Sequence, residues 1–469
     1  MKWNRFWHVW AFVGATLLGL SSTLLGQGIL EDTAFHGRFH LGLAYGPSRT
    51  LGSCLRVQSE LDFDVAQDDC GLAEGVFLLD RYFLRSIGNQ VWAHAVIDLR
   101  LQTNMLRSWS DTYGTGADAL SWSNRNFYVE AGRVLGLGET LWIGNRSYDH
   151  EDLWLLDLRL LDQHGPGFGI GDLKVPGGSL GLAFFRVVSR KGGPTQDTLD
   201  LRLSKIPLFE GEGKFALIST TTGETDAFSG ERIYERMRGW QSAFIYKWED
   251  ENLIHRWALQ YGQGLYGGID QTEFSKGRGI ALNETGEDRD ATYLLKDSPA
   301  DEREAVRRSH AWRVADQLDY TPLDSRWSLH GGFAYEQVSF GGLRFQKDTT
   351  YYRRGDMQTL AWVLRPSYDI NDLYGIDLQH ADVLIKQGLG YKHKTPDSVE
   401  QDSREPVDRH LRRTSLGFVL RPLGWGYAEL RSYLAYNAWN REITYDITDG
   451  AFQGKTSGLT AGVTFQIWW

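Results

Sequence analysis

The densest chemistry in this 469-residue chain is the run Asp149-His150-Glu151-Asp152, followed by Asp157. Two carboxylates at a set separation cleave glycosides, one as acid and one as base or nucleophile, and a His among acids invites a metal. The same charges also suit the lining of a wet interior or its rim. No second convergent element accompanies them, so lining is the preferred reading. The glycines of His164-Gly165-Pro166-Gly167-Phe168-Gly169-Ile170-Gly171 resemble a phosphate loop, but no strand-to-helix context follows, and a tight loop is expected instead. No HExxH helix occurs. Cys54 and Cys70, sixteen positions apart, have no CxxC or His spacing for a metal; in an oxidising compartment they read as a disulfide. On the chain-entropy model that link stabilises by roughly 3 kcal/mol.

Composition narrows the scaffold that would hold these groups. With 53 Gly, 11 Pro, 4 Met, 18 Trp and 13% aromatics, the chain is unlike an average soluble α/β protein and suits turns and aromatic girdles. A net charge of −10 with no basic stripe excludes nucleic acid as a partner, because phosphate binding needs a cationic surface. Residues 1–26 read as a secretory signal: Lys2 and Arg5 precede an apolar run to about Leu20 and small residues near Gly26. That run is shorter than the ~20 apolar residues of a membrane-spanning helix. The remainder, 27–469, holds no helical span, linker or internal repeat. Such an exported chain is secreted, periplasmic, or a barrel in the outer membrane.

Periodicity chooses among these. In Phe35 to Tyr45, Phe35, Gly37, Phe39, Leu41 and Leu43 alternate with His36, Arg38, His40, Gly42 and Ala44. In Val91 to Gln102, apolar Ala93, Ala95, Ile97, Leu99 and Leu101 oppose His94, Asp98, Arg100 and Gln102. The closing run Leu459 to Trp469 alternates in the same way, with Trp468 on the face of Thr460, Gly462, Thr464 and Gln466. A soluble sandwich would turn the apolar face to its core, and a membrane barrel would turn it to lipid. Strands of about 10 residues, polar faces carrying His, Arg and Asp, and aromatics at Tyr427, Tyr433, Tyr436 and Trp439 favour the barrel. So does the contrast between a short turn near Pro422–Gly424 and the charged stretches Asn283 to Ser309 and Lys392 to Arg413, expected as solvated external loops.

These pieces resemble one family. Trp142-Ile143-Gly144-Asn145-Arg146-Ser147-Tyr148, then Asp152, Asp157 and Gly165-Pro166-Gly167, is similar to the maltoporin family of sugar-specific porins. So are Phe35-His36-Gly37, the Cys54/Cys70 pair, Tyr128-Val129-Glu130-Ala131 and the ending Ile467-Trp468-Trp469. The resemblance implies an all-β fold: a transmembrane antiparallel β-barrel of 18 strands with inward-folded constriction loops, set in outer-membrane lipid and lipopolysaccharide as a homotrimer. It implies no cofactor and no catalysis.

The resemblance also implies a lumenal aromatic track that stacks on sugar rings while charged groups bond the hydroxyls. Trp109, Trp425 and Trp468 match that track, whereas Arg38, Ala73 and Ser242 stand where the family has aromatics. Arg125, Asp152 and Asp157 match its polar partners. His40 and His150 replace Arg, Gly75 replaces an acid, Trp154 replaces a His, and Arg159 replaces the constriction Tyr. The implied function is passive, selective diffusion of maltodextrin-like oligosaccharides across the bacterial outer membrane. A general porin for ions and small solutes is the alternative, since half the track is missing.

Overall fold

The computed structural model describes residues 33–45, 72–85, 91–104, 121–123, 126–148, 151–156, 158–161, 163–188, 194–226, 229–232, 234–265, 300–339, 344–347, 350–353, 356–387, 391–393, 407–422, 427–440 and 455–468. The segment read as a signal, Cys54, Cys70, Trp109, Arg125, His150, Asp157 and Trp425 lie outside them.

One antiparallel sheet dominates. Its strands begin with β1 (Thr33–Tyr45), β2 (Leu72–Arg85), β3 (Trp92–Asn104) and β4, an interrupted strand whose pieces Ser121–Ser123 and Phe127–Gly132 both pair with β3. They continue through β5 (Thr140–Tyr148), β6 (Gln163–Val175), β7 (Gly178–Val188), β8 (Pro194–Leu208), β9 (Gly211–Asp226) and β10 (Arg238–Glu249). Next come β11 (Leu253–Gly264), β12 (His310–Tyr320), β13 (Trp327–Ser339) and β14 (Met357–Asp369). The last are β15 (Tyr374–Gln387), β16 (Val407–Leu420), β17 (Tyr427–Trp439) and β18 (Ser457–Trp468). Each pairs with its neighbour in sequence, and β18 returns to β1 from Arg38↔Trp468 to Tyr45↔Ala461. Eighteen strands therefore close on themselves and leave no edge.

The two faces are inverted relative to a water-soluble protein. Outward stand Ile143, Phe168, Leu199, Leu217, Leu416 and Leu434, all exposed, while Asp200, Arg202, Gln241, Arg313, Glu336 and Asn437 are buried inside. An exterior this apolar would aggregate in water, whereas in lipid it costs nothing. Connections also differ by end. They are tight between β6 and β7, β8 and β9, β10 and β11, and β14 and β15, and long after β1, β3, β11, β13, β15 and β17. The tight end is periplasmic in such barrels.

The barrel does not stay hollow. Between β5 and β6 the chain turns inward as a small hairpin, Glu151–Leu153 against Leu158–Leu160, joined by a 3-10 turn at Trp154–Leu156. Leu153, Leu155, Leu156, Leu158, Leu160 and Leu161 are all buried, in one cluster with Ala216, Ala243, Ala258, Ala315, Ala334, Ala361 and Ala381 of the wall. Small wall residues leave room for the leucines. At Gly332 a Cβ would come 3.0 Å from Leu156 Cγ.

Several sequence expectations change here. The glycine-rich 164–171 run is strand β6, not a tight loop: a Cβ at Gly167 would meet the Phe184 carbonyl at 2.2 Å, and one at Gly169 the Trp142 Nε1 at 2.6 Å. Residues 407–413 belong to the wall of β16, with Arg413 buried, and are not part of an external loop. Within the other charged stretch, Ala300–Arg308 forms a helix, α1, that buries Ala305 and Val306 in the apolar cluster. Of the supposed girdle aromatics, Tyr433 and Trp439 are buried on the inner face, and the Trp439 indole donates to the Lys455 carbonyl at 2.7 Å. Tyr436 does face outward.

Leu434, 55% exposed on the outer face, tests the orientation. Leu434→Arg should destabilise the barrel in lipid vesicles by about 2–4 kcal/mol in urea titrations, while Asn437→Lys, on the inner face of the same strand, should alter conductance.

Candidate solute pathway in the lumen

Strand parity decides which side chains meet a passing solute. On β1 to β5 the inward set includes Arg38, His40, Glu74, Asp80, Trp92, His94, Asp98, Arg100, Tyr128, Glu130, Trp142 and Arg146. A buried charge is tolerated only when paired, and here the pairs form a ladder. Arg38 Nη2 donates to Glu74 Oε1 at 2.9 Å, and Arg100 donates to the other oxygen of the same carboxylate. Arg146 Nη1 donates to Glu130 Oε2 at 2.7 Å, with His94 Nε2 3.4 Å from Glu130 Oε1. Gln466 Nε2 donates to His40 Nδ1 at 2.8 Å.

The ladder continues across the far wall. Asp377 accepts from Arg431 Nη2 at 2.7 Å and from Arg365 Nη2 at 3.0 Å. In the turn after β16, burial disfavours the charge of Arg421, but Asp369 at 2.6 Å and Glu429 at 3.7 Å outweigh it and raise the guanidinium's pKa above its ordinary value.

The hairpin packs against β9 to β15 and is tied at four places, the last at its tip. Leu155 N–H donates to Gln317 Oε1 at 3.1 Å, Arg202 Nη2 donates to the Leu161 carbonyl at 3.0 Å, and Lys214 pairs with Glu151. Arg202 itself is held by Asp200 through Nε at 2.8 Å and Nη2 at 2.6 Å, a bidentate pair buried at the wall. At the hairpin tip, Trp154 is 46% exposed. Its Nε1 donates to Asp319 Oδ2 at 3.3 Å, its ring meets His330 edge-on at 5.4 Å, and the Arg365 guanidinium lies 6.0 Å from it. His330 Nδ1 stands 2.8 Å from Asp319 Oδ1. An open aromatic face bordered by an acid, an imidazole and a guanidinium suits a pyranose, which has an apolar face and a belt of hydroxyls.

The site residues expected from sequence thus divide. Arg38 and His40 lie together on the inner face of β1, and the pairing register sets position 468 opposite Arg38 and Tyr427 on that face. Asp152 is exposed on the hairpin, with Arg159 opposite it in register, and Trp154 is at the tip. The register puts Gly75 with Phe39 on the outer face, and Ser242 with outward Leu217. Neither Gly75 nor Ser242 is a lumenal position, and the lumenal acids of β2 are Glu74 and Asp80. Sequence reasoning missed Glu74, Arg146, Glu130 and Asp377. Parity on β2 was the available signal for Glu74, since Phe77 and Leu79 fix the outer face.

The sequence profile of one family, LamB porin, matches residues 79–469. Among solved structures, OccAB2 of Acinetobacter baumannii aligns at 9% identity and TM-score 0.45, covering 95% of this chain and 99% of that one. OccD3 (OpdP) of Pseudomonas aeruginosa aligns at 10% and 0.44, covering 94% and 92%, and OmpT of Vibrio cholerae at 8% and 0.40, covering 94% and 99%.

Two outcomes follow from the ladder and the hairpin. Glu74→Gln should shift the reversal potential in a KCl gradient toward anions. It should also cost about 1–3 kcal/mol in urea unfolding, less than the ~3–5 of a fully buried broken pair because Arg38 is 56% exposed. Leu156→Ala should cost about 2–5 kcal/mol of hairpin docking. Single-channel records should then show larger, flickering conductance, and an unchanged steady conductance would mean that the leucine does not hold the constriction.

Proposed function

The chain belongs to the LamB porin family, and on that footing we propose that its lumen carries maltodextrin-like oligosaccharides selectively and passively across the outer membrane. Porin architecture and outer-membrane placement come with the family; the choice of sugar is the proposal. Its main support is Trp154, a half-open indole on the constricting hairpin with Asp319, His330 and Arg365 around it. Stacking selects a flat apolar ring face, and the polar neighbours hold hydroxyls without locking them. The proposal includes Trp109, Trp425 and Trp468 as further stacking residues. It includes Arg125, His150, Asp157 and Arg159 as polar partners, a Cys54–Cys70 disulfide, a cleaved signal at 1–26, and a homotrimer in contact with lipopolysaccharide.

The test is sugar block of ion current in a planar bilayer, with maltooligosaccharides, sucrose and cello-oligomers titrated into the millimolar range. Maltooligosaccharides should block, more tightly with length. Trp154→Ala, Trp425→Ala and Trp468→Ala should each weaken block by at most ~1–3 kcal/mol, the scale of aromatic stacking on planar bases. No block by any sugar would leave a general diffusion porin.

A further inference from the structure

On the short-turn side of the hairpin lies a cavity of about 420 Å³. That lies within the ~300–1,000 Å³ of small-molecule sites. Six cations line it, Arg146, Arg202, Lys205, Lys214, Lys247 and Arg256, against three carboxylates, Glu151, Asp172 and Glu212. The whole chain carries a net charge of −10, so this lining runs against the sign of the molecule.

The cations are held, not free. The Arg146 guanidinium lies 4.5 Å from the centroid of Tyr128, 5.3 Å from Trp142 and 5.8 Å from Tyr148, with Glu130 at 2.7 Å. Its side chain stays 20% exposed while that of Glu130 is 11% exposed. Arg202 lies 4.7 Å from the Tyr148 ring, backed by the fully buried Asp200. Lys205 and Lys214 are paired within the lining with Asp172 and Glu151, and Arg202 is fully buried. The acids that balance Arg146, Lys247 and Arg256, namely Glu130, Glu249 and Asp319, stand outside it, so these three cations are the donors a solute meets. Rings and acids fix the guanidinium in advance, so little side-chain entropy is lost when it takes up an anion. A planar carboxylate can match a guanidinium with two parallel hydrogen bonds. Trp142 and Tyr148 beneath them are buried, so charge and not stacking is what the cavity offers.

We propose that this cavity is a binding subsite for a saccharide unit bearing a carboxylate, a uronic acid, which a sugar chain meets on the periplasmic side of the hairpin. The proposal rests on the saccharide-channel reading and adds the class of sugar.

The experiment compares maltotriose with tri-galacturonate as blockers of the full-length channel in planar bilayers at pH 7. In 0.1 M KCl the acidic trimer should block about tenfold more tightly, and in 1 M KCl about twofold, because the Debye length falls from ~10 Å to ~3 Å. Arg146→Gln and, separately, Lys247→Gln should each reduce the preference by about threefold at low salt, as expected on losing one charge-assisted contact. The salt series uses the unaltered chain and stands even where a variant does not assemble. Equal block by the two trimers at 0.1 M would overturn the subsite and leave the saccharide channel intact. A preference that survives both substitutions would also overturn it. Absence of block by either trimer would remove both readings together.

Discussion

Hydrocarbon offers a peptide group no hydrogen-bond partner, so a strand that enters a membrane must find one on each side. From that constraint the rest of this structure follows. The sheet has to close, and the register joining β1 to β18 satisfies the groups that would otherwise form two open edges. Closure with eighteen strands makes a lumen wider than an eight-stranded barrel, which its own side chains fill. The lumen then needs a separate device to narrow it, and the hairpin after β5 is that device.

A leucine-rich hairpin in a wet pore is an expensive arrangement unless the pore wall is also apolar where it lands. The wall meets this need by giving up its dyad. On β14 and β15, Ala361, Val363, Ala381, Val383 and Ile385 point inward, while Leu364, Ile376 and Leu378 point outward. Both faces are apolar there, one for lipid and one for the hairpin. The other side of the lumen, from β17 through β1 to β5, keeps the polar face and carries the Arg–Glu pairs. The wall is thus apolar where the leucines of the hairpin land and polar around that patch, as at Arg365 and Asp377 on β14 and β15 and at the cations of β8 to β11.

This division explains what the sequence disclosed. Where one face is polar, as at Arg38 and His40 or His94 and Asp98, alternation alone identified the strand and its inner side. Where both faces are apolar, as along Ala361 to Val363 on β14 and Ala381 to Ile385 on β15, the period-2 signal disappears. The start of β16 was misread for a related reason: Arg409, His410, Arg412 and Arg413 look like a loop by charge, although only the register shows that Arg413 is buried within the wall. Family correspondence failed at Gly75 by a single residue, and on a strand a single residue exchanges lumen for lipid. The glycines of β6 misled because their role lies in contacts remote in sequence, with Phe184 and Trp142. Trp154 was recognised as a site residue, but its role as an exposed ring depends on Asp319, His330 and Arg365, more than 160 positions away.

The ladder also shows why a charged pore does not trap what it conducts. Arg313–Glu336 and Arg202–Asp200 are fully buried at the wall; their desolvation was met in folding, and they hold shape. Arg38 and Arg146 keep part of their surface in the lumen while their acids stand behind them, so each offers donors without presenting an uncompensated charge. A solute that binds such a group displaces water and leaves the ion pair intact, which keeps each step shallow. Conduction requires that shallowness at every site along the path, because one deep well would turn a channel into a receptor. A ring at the constriction and a cationic chamber below it act in series. On the proposed reading, the first selects by the shape of the sugar face and the second by charge.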